Sequence, residues 1–304
     1  MIANTIDAVK LEHYSVLRIS GADRGEFLQG QLTQDVGEVT PQRSVLTGWT
    51  NAKGRLLVVG QLINWNNAFY LPLPADIAPG VAQRLGMFVL RADVAIDLPD
   101  LRISGLSSPI DEAIRIGDLE LPPAPGACRA GDDVCLARMV GDPARAWLIG
   151  PGFIDNQPAE DSPVIDDGHW RLANIQAGLP EISAGSTEMF TPQMLNLDLL
   201  SAISFTKGCY VGQEIVARTQ NLGRIKRRMY RFRAESGQDF VPGQLLFGPD
   251  DMTGKIVSCA RDGAATELLA VIAIKSADDA WFADAKRSLP VDRRPLPYSI
   301  SADN

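Results

Sequence analysis

The feature that most constrains this 304-residue chain is a change in its pattern near Arg227. Before that point, segments with the apolar alternation of strands, such as 14–20, are interleaved with segments that have the spacing of helices. After it, three short strand patterns at 227–234, 254–261 and 267–275 are separated by turns of glycine, aspartate and proline. The first arrangement is typical of α+β layers with an antiparallel sheet, and the second predicts a small β-barrel.

The first part also contains a hairpin signal. Strand patterns flank residues 51–54, where Gly54 can adopt the positive φ that a tight hairpin turn needs. Helices are expected at 193–200 and 211–222. The segment 117–133 is rich in proline, glycine and aspartate, and we interpret it as an exposed loop.

The octapeptide Lys-Gly-Cys-Tyr-Val-Gly-Gln-Glu at 207–214 carries the strongest chemical signal. Two glycines in so short a span indicate a backbone that turns tightly or lets a ligand approach. Thiolate is the reactive form of cysteine, and the Cys209 thiol would lose its proton more easily beside Lys207 and Arg218 and at the start of a helix. The alternative is a strand-to-helix turn in which Cys209 is simply buried.

This octapeptide resembles the signature of the YgfZ family of folate-binding proteins, which are relatives of the glycine-cleavage T-protein, an aminomethyltransferase. The resemblance extends over almost the whole chain, and the octapeptide is its most specific part. The other segments are ISGADRGEFLQGQLTQDV at 19–36, TNAKGRLL at 50–57, WRLANIQAGLPEI at 170–182, EMFTPQMLNLDLLSAISFTKGCYVGQEIVAR at 188–218 and RPLPYSI at 294–300.

The resemblance implies an α+β fold in which three domains form a ring around a central cavity. Two interwoven α+β domains at 1–226 would form the folate-binding region, and 227–304 would form a small C-terminal β-barrel. It also implies an accessory protein that binds tetrahydrofolate or a derivative and supports the assembly or repair of iron–sulfur clusters in selected enzymes, including the enzyme that methylthiolates tRNA. A folate-dependent one-carbon (aminomethyl) transferase remains the alternative.

The same resemblance selects the candidate site residues. Cys209 is expected to carry the chemistry, with Lys207 and Tyr210 as its neighbours. Tyr14 and Trp170 offer flat rings for stacking on a pterin, although core packing is the alternative for each of them. The full set of candidate cofactor-binding residues is Tyr14, Trp170, Gln176, Gln213, Glu214 and Arg218.

Two positions depart from the family pattern. Gln176 stands where relatives often carry a glutamate, and an amide offers one acceptor and two donors where a carboxylate would accept two hydrogen bonds from a pterin. The hairpin that carries acidic residues in the T-protein reads Leu56, Leu57 and Val58 here. Aliphatic side chains cannot accept a proton, so we expect the folate-type fold without active aminomethyl transfer.

Charge is unevenly distributed along the chain, which carries a net charge of −8. Residues 218–233 contain seven basic side chains and no acidic one. The simpler interpretation is a solvated strand edge with one polar face. The functional interpretation is an anion site for a polyglutamate tail, a phosphate or a nucleic acid. The negative net charge argues against nonspecific nucleic-acid binding by the protein as a whole.

Size and cysteine content complete the expectations. A chain of this length has room for two or three domains. No apolar run is long enough to span a bilayer, and the N-terminal residues lack a secretory core, so we expect a cytoplasmic protein without membrane partners. The spacing of the four cysteines does not suggest a disulfide scaffold or a metal site. Expected partners are folate and iron–sulfur client enzymes such as a tRNA methylthiotransferase, and weak nucleic-acid contact through 218–233 stays open.

Overall fold

The computed structural model describes residues 7–108, 112–153, 166–221, 223–235 and 237–300. They form two compact units. The first unit is drawn from residues 1–47 and 60–170, and the second from 48–59 and 171–304. The chain therefore enters the second unit once in a hairpin and returns to it after Trp170. The predicted division into 1–226 and 227–304 stays a prediction.

Strands dominate the described residues, and the few helices are short. The strands are β1 (Asp7–Lys10), β2 (Tyr14–Ser20), β3 (Val45–Thr50), β4 (Leu56–Trp65), β5 (Ala68–Pro74), β6 (Ala95–Asp97), β7 (Arg102–Ser107), β8 (Ile114–Ile116), β9 (Leu119–Leu121), β10 (Cys128–Ala130), β11 (Cys135–Arg138), β12 (Arg145–Gly150), β13 (Arg227–Ala234), β14 (Leu245–Phe247), β15 (Thr253–Asp262), β16 (Ala265–Ala273), β17 (Trp281–Phe282) and β18 (Pro290–Arg294). The α-helices are α1 (Arg24–Gln29), α2 (Ala78–Gly86), α3 (Asp167–Gln176) and α4 (Gln213–Asn221).

The first unit contains an antiparallel sheet with the strand order β1-β7-β12-β11-β10. Successive side chains of a strand point to opposite faces, so each face is read from alternate residues. One face carries Leu106 of β7 and Leu148 of β12, which belong to a buried apolar cluster with Leu136. The other face carries Gly105 and Trp147, which pair across β7 and β12. This second face holds the aromatic candidates described below.

A second five-stranded sheet has the order β3-β4-β5-β2-β6. Strands β3 and β4 are buried along almost their whole length, and most of their residues are apolar. The turn between them is the predicted hairpin turn, and Gly54 has φ +65° as expected. The hairpin prediction is confirmed, because the turn depends on a glycine that the sequence shows directly.

The C-terminal strands form a closed barrel in the order β13-β16-β15-β14-β17-β18, and β18 pairs back with β13. Its core includes Tyr230, Phe232 and Ala234, which alternate along β13. Trp281 lies in the same core and donates a hydrogen bond from Nε1 to the Ser276 carbonyl at 2.8 Å. The predicted small barrel is confirmed, and its first strand covers the predicted residues 227–234.

Three local expectations were wrong. Residues 193–200 form only a single 3-10 turn at Gln193–Leu195, because Asn196 adopts a left-handed conformation with φ +60° that ends it. The supposed loop 117–133 contains the short strands β9 and β10. Helix α4 begins at Gln213 rather than 211. Among the described residues, no helix has the length and apolar character needed to cross a membrane.

Candidate functional site

The Cys209 turn, residues 207–212, separates buried from exposed side chains within a few positions. Cys209 is exposed, so the alternative of a simply buried cysteine was wrong. Lys207 and Tyr210 are buried on either side of it. The backbone N–H of Gln213 donates to the Tyr210 carbonyl at 3.1 Å, which closes the turn where α4 begins. The thiol is therefore presented to solvent by a turn whose neighbouring side chains are fixed.

Lys207 and Tyr210 contact each other beneath the turn. The Lys207 Nζ atom lies 5.3 Å from the centroid of the Tyr210 ring, within the range of a cation–π interaction. Burial raises the pKa of the Tyr210 hydroxyl to about 12, because the phenolate would be poorly solvated there. Tyr210 therefore stays protonated at neutral pH.

The hairpin turn between β3 and β4 holds the Cys209 turn in place. Gly212 has φ +82°, and a Cβ atom there would lie 2.5 Å from the Asn51 carbonyl oxygen. The Thr50 hydroxyl donates to the Val211 carbonyl at 2.5 Å. Gly54 is packed against Ile215 of α4, where a Cβ atom would lie 2.9 Å from that side chain. Both glycines are required because the two turns approach each other at backbone distance.

Helix α4 carries the other candidates of this unit. Glu214 and Arg218 are exposed and one helical turn apart, and Gln213 is half-buried. The opposite side of the helix is anchored at Val216, whose carbonyl accepts a hydrogen bond from Gln193 Nε2 at 2.8 Å. The three candidates therefore share one helix that begins four residues after Cys209, and their cofactor-binding role stays a prediction.

Tyr14 and Trp170 lie in the first unit, against the face of the β1-β7-β12-β11-β10 sheet that carries Gly105 and Trp147. The Tyr14 ring meets Trp147 edge-on with centroids 5.2 Å apart, and Trp147 lies 5.1 Å from Trp170. Trp170 is 2 % exposed and packs directly over Gly105, where a Cβ atom would come within 2.5 Å of the indole. Tyr14 is only half-buried. Of the two predicted rings, Tyr14 is therefore the one whose surface is accessible.

Arg145 is a buried charge at the centre of this aromatic group. Its guanidinium carbon lies 4.5 Å from the Trp170 ring centroid, its Nη1 donates to the Trp170 carbonyl at 3.1 Å, and its Nε donates to Asp142 at 2.6 Å. Burial lowers the pKa of Arg145, although the Asp142 carboxylate opposes that shift. Sequence reasoning missed Arg145 and Trp147, because RAWLIG carries only the signal of a buried strand.

A cavity of about 320 Å³ opens on the first unit and is lined by Leu11, Glu12, Tyr14, Arg102, Ile103 and Phe153. A pterin needs apolar surface for its ring faces and polar partners for its edge. Tyr14 and Phe153 provide aromatic surface, and Glu12 and Arg102 provide a carboxylate and a guanidinium. The residues present in the first unit therefore fit such a ring. Gln176, at the end of α3 and assigned to the second unit, is exposed.

The aliphatic run in the hairpin is part of the core. Leu56, Leu57 and Val58 are all buried at the start of β4. The backbone of Leu56 donates to Phe190 and accepts from Glu188, each at 2.8 Å. An acidic side chain at these positions would have to be buried, which is costly without a paired cation. The departure from the T-protein pattern is thus built into the packing of this strand.

Three of the seven basic side chains of the segment 218–233 form ion pairs. Arg228 binds Asp198 through two hydrogen bonds of 2.6 and 2.8 Å, and Arg231 binds Glu267 at 2.8 Å. Arg233 contacts Asp262, Glu235 and Glu267. The interpretation as a strand edge was wrong, because β13 is paired on both sides. Arg218, Arg224 and Lys226 precede the strand and are exposed.

The other three cysteines are wholly or partly buried. Cys128 and Cys135 are buried and unbridged, and burial raises the pKa of both thiols, that of Cys128 to about 11. Cys259 is half-buried in the barrel, and burial raises its pKa to about 11 as well. Within the described part of the chain, Cys209 is therefore the exposed thiol.

Comparisons with known proteins were made by sequence and by structure. No family model matches the chain. A tRNA-modifying protein YgfZ from Colwellia psychrerythraea is 30% identical over 249 residues, which cover 78% of this chain and 75% of that protein. A tRNA-modifying protein YgfZ from Serratia proteamaculans is 28% identical over 313 residues, covering 97% and 93%. The glycine cleavage system aminomethyltransferase T from Bartonella henselae shares the fold, with a TM-score of 0.75, 14% identity and coverage of 96% of this chain and 86% of that chain.

Proposed function

The chain belongs to the YgfZ family of tRNA-modifying proteins, and on that premise we propose that it is a folate-binding accessory protein for iron–sulfur enzymes, including those that methylthiolate tRNA. The observation that carries the proposal is the exposed thiol of Cys209, which is held on a turn by buried neighbours. A thiol in this position is accessible to a client protein, and thiolate is both a nucleophile and a metal ligand.

Lys207, Tyr210 and Gly212 make the turn rigid and do not react themselves. Lys207 contacts the Tyr210 ring beneath the turn, and Gly212 packs against the hairpin of β3 and β4. A site held by packing and hydrogen bonds keeps its geometry when a partner docks. Lys207 and Tyr210 therefore act as positioning residues for Cys209.

Folate is the proposed cofactor. Tyr14 and the neighbouring cavity would hold it in the first unit, and the fold is that of an aminomethyltransferase. Bound tetrahydrofolate supplies a carrier for one-carbon groups. Aminomethyl transfer by this chain is the less supported function, because the buried Leu56, Leu57 and Val58 offer no carboxylate to assist it. Transfer of the one-carbon group of 5,10-methylenetetrahydrofolate to an acceptor, with release of tetrahydrofolate and absent without the protein, would favour it.

Complementation tests the proposal. The chain is expressed in a bacterium that lacks its own YgfZ-type protein, and methylthiolated tRNA is quantified. We expect rescue by the wild type and by Cys259→Ala, the matched cysteine control, and no rescue by soluble Cys209→Ala. The Cys209→Ala protein should retain its thermal stability, since the side chain is exposed. Rescue by Cys209→Ala would show that the thiol does not carry the function.

In the proposed function, contact with a nucleic acid is limited to three exposed basic side chains. Arg218, Arg224 and Lys226 are exposed, whereas the arginines of β13 are largely neutralised by carboxylates. Binding through so few cations would be weak, and its salt dependence would be shallow because that dependence scales with the number of phosphates contacted. Absence of tRNA binding at low salt would remove this contact and leave the role of Cys209 untouched.

A further inference from the structure

Two large apolar side chains of the second unit are exposed on either side of the Cys209 turn in the chain. Phe205, which precedes the turn, is 44 % exposed, and Ile215, in the first turn of α4, is 36 % exposed. Gly208 lies inside the turn, and a Cβ atom there would meet no neighbouring atom within 4 Å. Single exposed apolar side chains are ordinary on a protein surface, so the meaning of these two depends on what surrounds them.

Ile215 lies beside the hairpin turn at 51–54. A Cβ atom on Gly54 would lie 2.9 Å from the Ile215 side chain. Lys53 precedes Gly54 in this turn and is exposed. Arg218 follows Ile215 by three residues, which places it on the same side of α4, and it is also exposed. An exposed apolar side chain is therefore accompanied by two exposed cations from different segments of the chain.

The charge around the Cys209 turn is opposite to that of the whole chain. Residues 48–59 and 201–226 together carry six basic side chains and one acidic side chain, whereas the net charge of the chain is −8. Among the residues that the structure describes, Lys53 and Arg218 form no ion pair, and neither does Glu214, the acidic member of this set. Exposed cations without carboxylate partners favour a partner molecule that carries negative charge.

We propose that these residues form a docking face for a segment of the client protein in which a large apolar residue is flanked by aspartate or glutamate, an assignment that rests on the proposed function and deepens it by naming the chemistry of the partner. The docking face consists of Lys53, Phe205, Cys209, Ile215 and Arg218. Phe205 and Ile215 contact the apolar side chain of the client, and Lys53 and Arg218 pair with its carboxylates. The docked segment is thereby held next to the Cys209 thiol.

The other candidate occupant is tRNA, and the composition of the docking face favours a protein. Affinity for a nucleic acid grows with the number of phosphates that cations neutralise, and this face presents two exposed cations. Ile215 has no ring that could stack on a base, whereas protein interfaces combine apolar contacts at their centre with charged groups at their rim. The position of Ile215 close to Lys53 and Arg218 matches the second arrangement.

Binding of the full chain to the purified tRNA methylthiotransferase of the complemented bacterium tests the docking face, with biolayer interferometry as the measurement. Lys53→Glu is expected to raise the Kd about fivefold or more, because an attractive charge becomes a repulsive one. Ile215→Ser is expected to raise it by a similar factor, because an apolar contact is lost. The matched controls lie in the barrel region of the sequence: Lys286→Glu changes an exposed charge and Val241→Ser an exposed apolar side chain, and both should bind within about twofold of the wild type.

A cross-linker on Cys209 identifies the docked segment directly. Benzophenone maleimide is attached to Cys209 in a Cys259→Ala background, in which the remaining cysteines, Cys128 and Cys135, are buried. After illumination with the same purified methylthiotransferase, mass spectrometry locates the cross-linked residues. We expect a segment with net negative charge and at least one large apolar residue. Cross-links confined to basic segments, or no cross-link under conditions where the two proteins bind, would overturn the docking face.

The binding results and complementation together separate the docking face from the proposed function. Unchanged client binding in both Lys53→Glu and Ile215→Ser, while Cys209→Ala still fails to rescue, would overturn the docking face and leave the proposed function standing. No client binding by a wild type that rescues would have the same meaning. If Lys53→Glu weakened binding of purified tRNA and left client binding unchanged, the face would belong to RNA. Rescue by Cys209→Ala would contradict the role of the thiol whatever the binding result.

Discussion

At the scale of single residues, neighbouring positions in the octapeptide have opposite roles. Cys209 is exposed, while Lys207 and Tyr210 are buried and in contact. The sequence identified all three as a group because the motif is contiguous. The sequence could not show which of the three is exposed and which are buried. Burial depends on the hairpin of β3 and β4, a distant part of the chain that packs against the turn.

Tyr210 gives a prediction for pH dependence. Its pKa is raised to about 12 by burial, so the folded protein favours the protonated hydroxyl. The corresponding stabilisation is complete below about pH 10, the ordinary tyrosine value, and is lost as the pH rises towards 12. Between pH 9 and 11.5, the wild type should lose roughly 2 kcal/mol more of unfolding free energy than Tyr210→Phe.

Urea unfolding at the two pH values measures this difference, and Tyr210→Phe keeps the ring that packs under Lys207. Equal losses in the two proteins would show that the Tyr210 hydroxyl is solvated in the folded state.

At the scale of elements, two turns determine where the thiol lies. The hairpin turn at 51–54 and the Cys209 turn meet at backbone distance, and each contributes a glycine with positive φ, Gly54 and Gly212. Both glycines were visible in the sequence, and the hairpin was predicted from one of them. Their mutual contact was not predictable, because it joins segments separated by about half of the chain.

The contact predicts different effects for two glycines of one motif. Gly212→Ala should cost about 2 kcal/mol or more of unfolding free energy, because its φ is unfavourable and its Cβ atom would meet the Asn51 carbonyl. Gly208→Ala is the control, since a Cβ atom there meets nothing within 4 Å, and it should change stability by less than about 0.5 kcal/mol. Chemical denaturation compares the two variants.

Complementation adds a functional readout to the same pair. Gly212→Ala should impair rescue at temperatures where the protein is still folded, because the turn that carries Cys209 is displaced. Equal rescue by folded Gly212→Ala and by Gly208→Ala would mean that the position of the turn is not critical.

At the scale of the whole molecule, the barrel is tied to the residues that precede it. Arg228 of β13 is buried against Asp198 and also donates to the Gln193 carbonyl at 3.0 Å. Asn196 donates to the Met229 carbonyl at 2.8 Å. Three of the four arginines of β13 therefore form ion pairs within the protein.

The buried pair predicts a large penalty when one partner is removed. Asp198→Asn leaves the Arg228 guanidinium buried with a neutral partner, and we expect a loss of about 3 kcal/mol or more. Asp262→Asn removes a partner of Arg233 in a more exposed pair, and we expect a loss below about 1 kcal/mol. Equal losses in thermal or urea unfolding would contradict the difference in burial.

The sequence by itself determined the hairpin turn at 51–54, the C-terminal barrel and the motif around Cys209, because periodicity, glycine positions and a contiguous octapeptide are local properties. Only the tertiary structure decided which side chains are exposed, that Arg228 is an internal ion-pair partner, and that Arg145 and Trp147 join Tyr14 and Trp170. These outcomes depend on packing between segments far apart in the chain, and burial and pairing energies have no local signature in the residues that they involve.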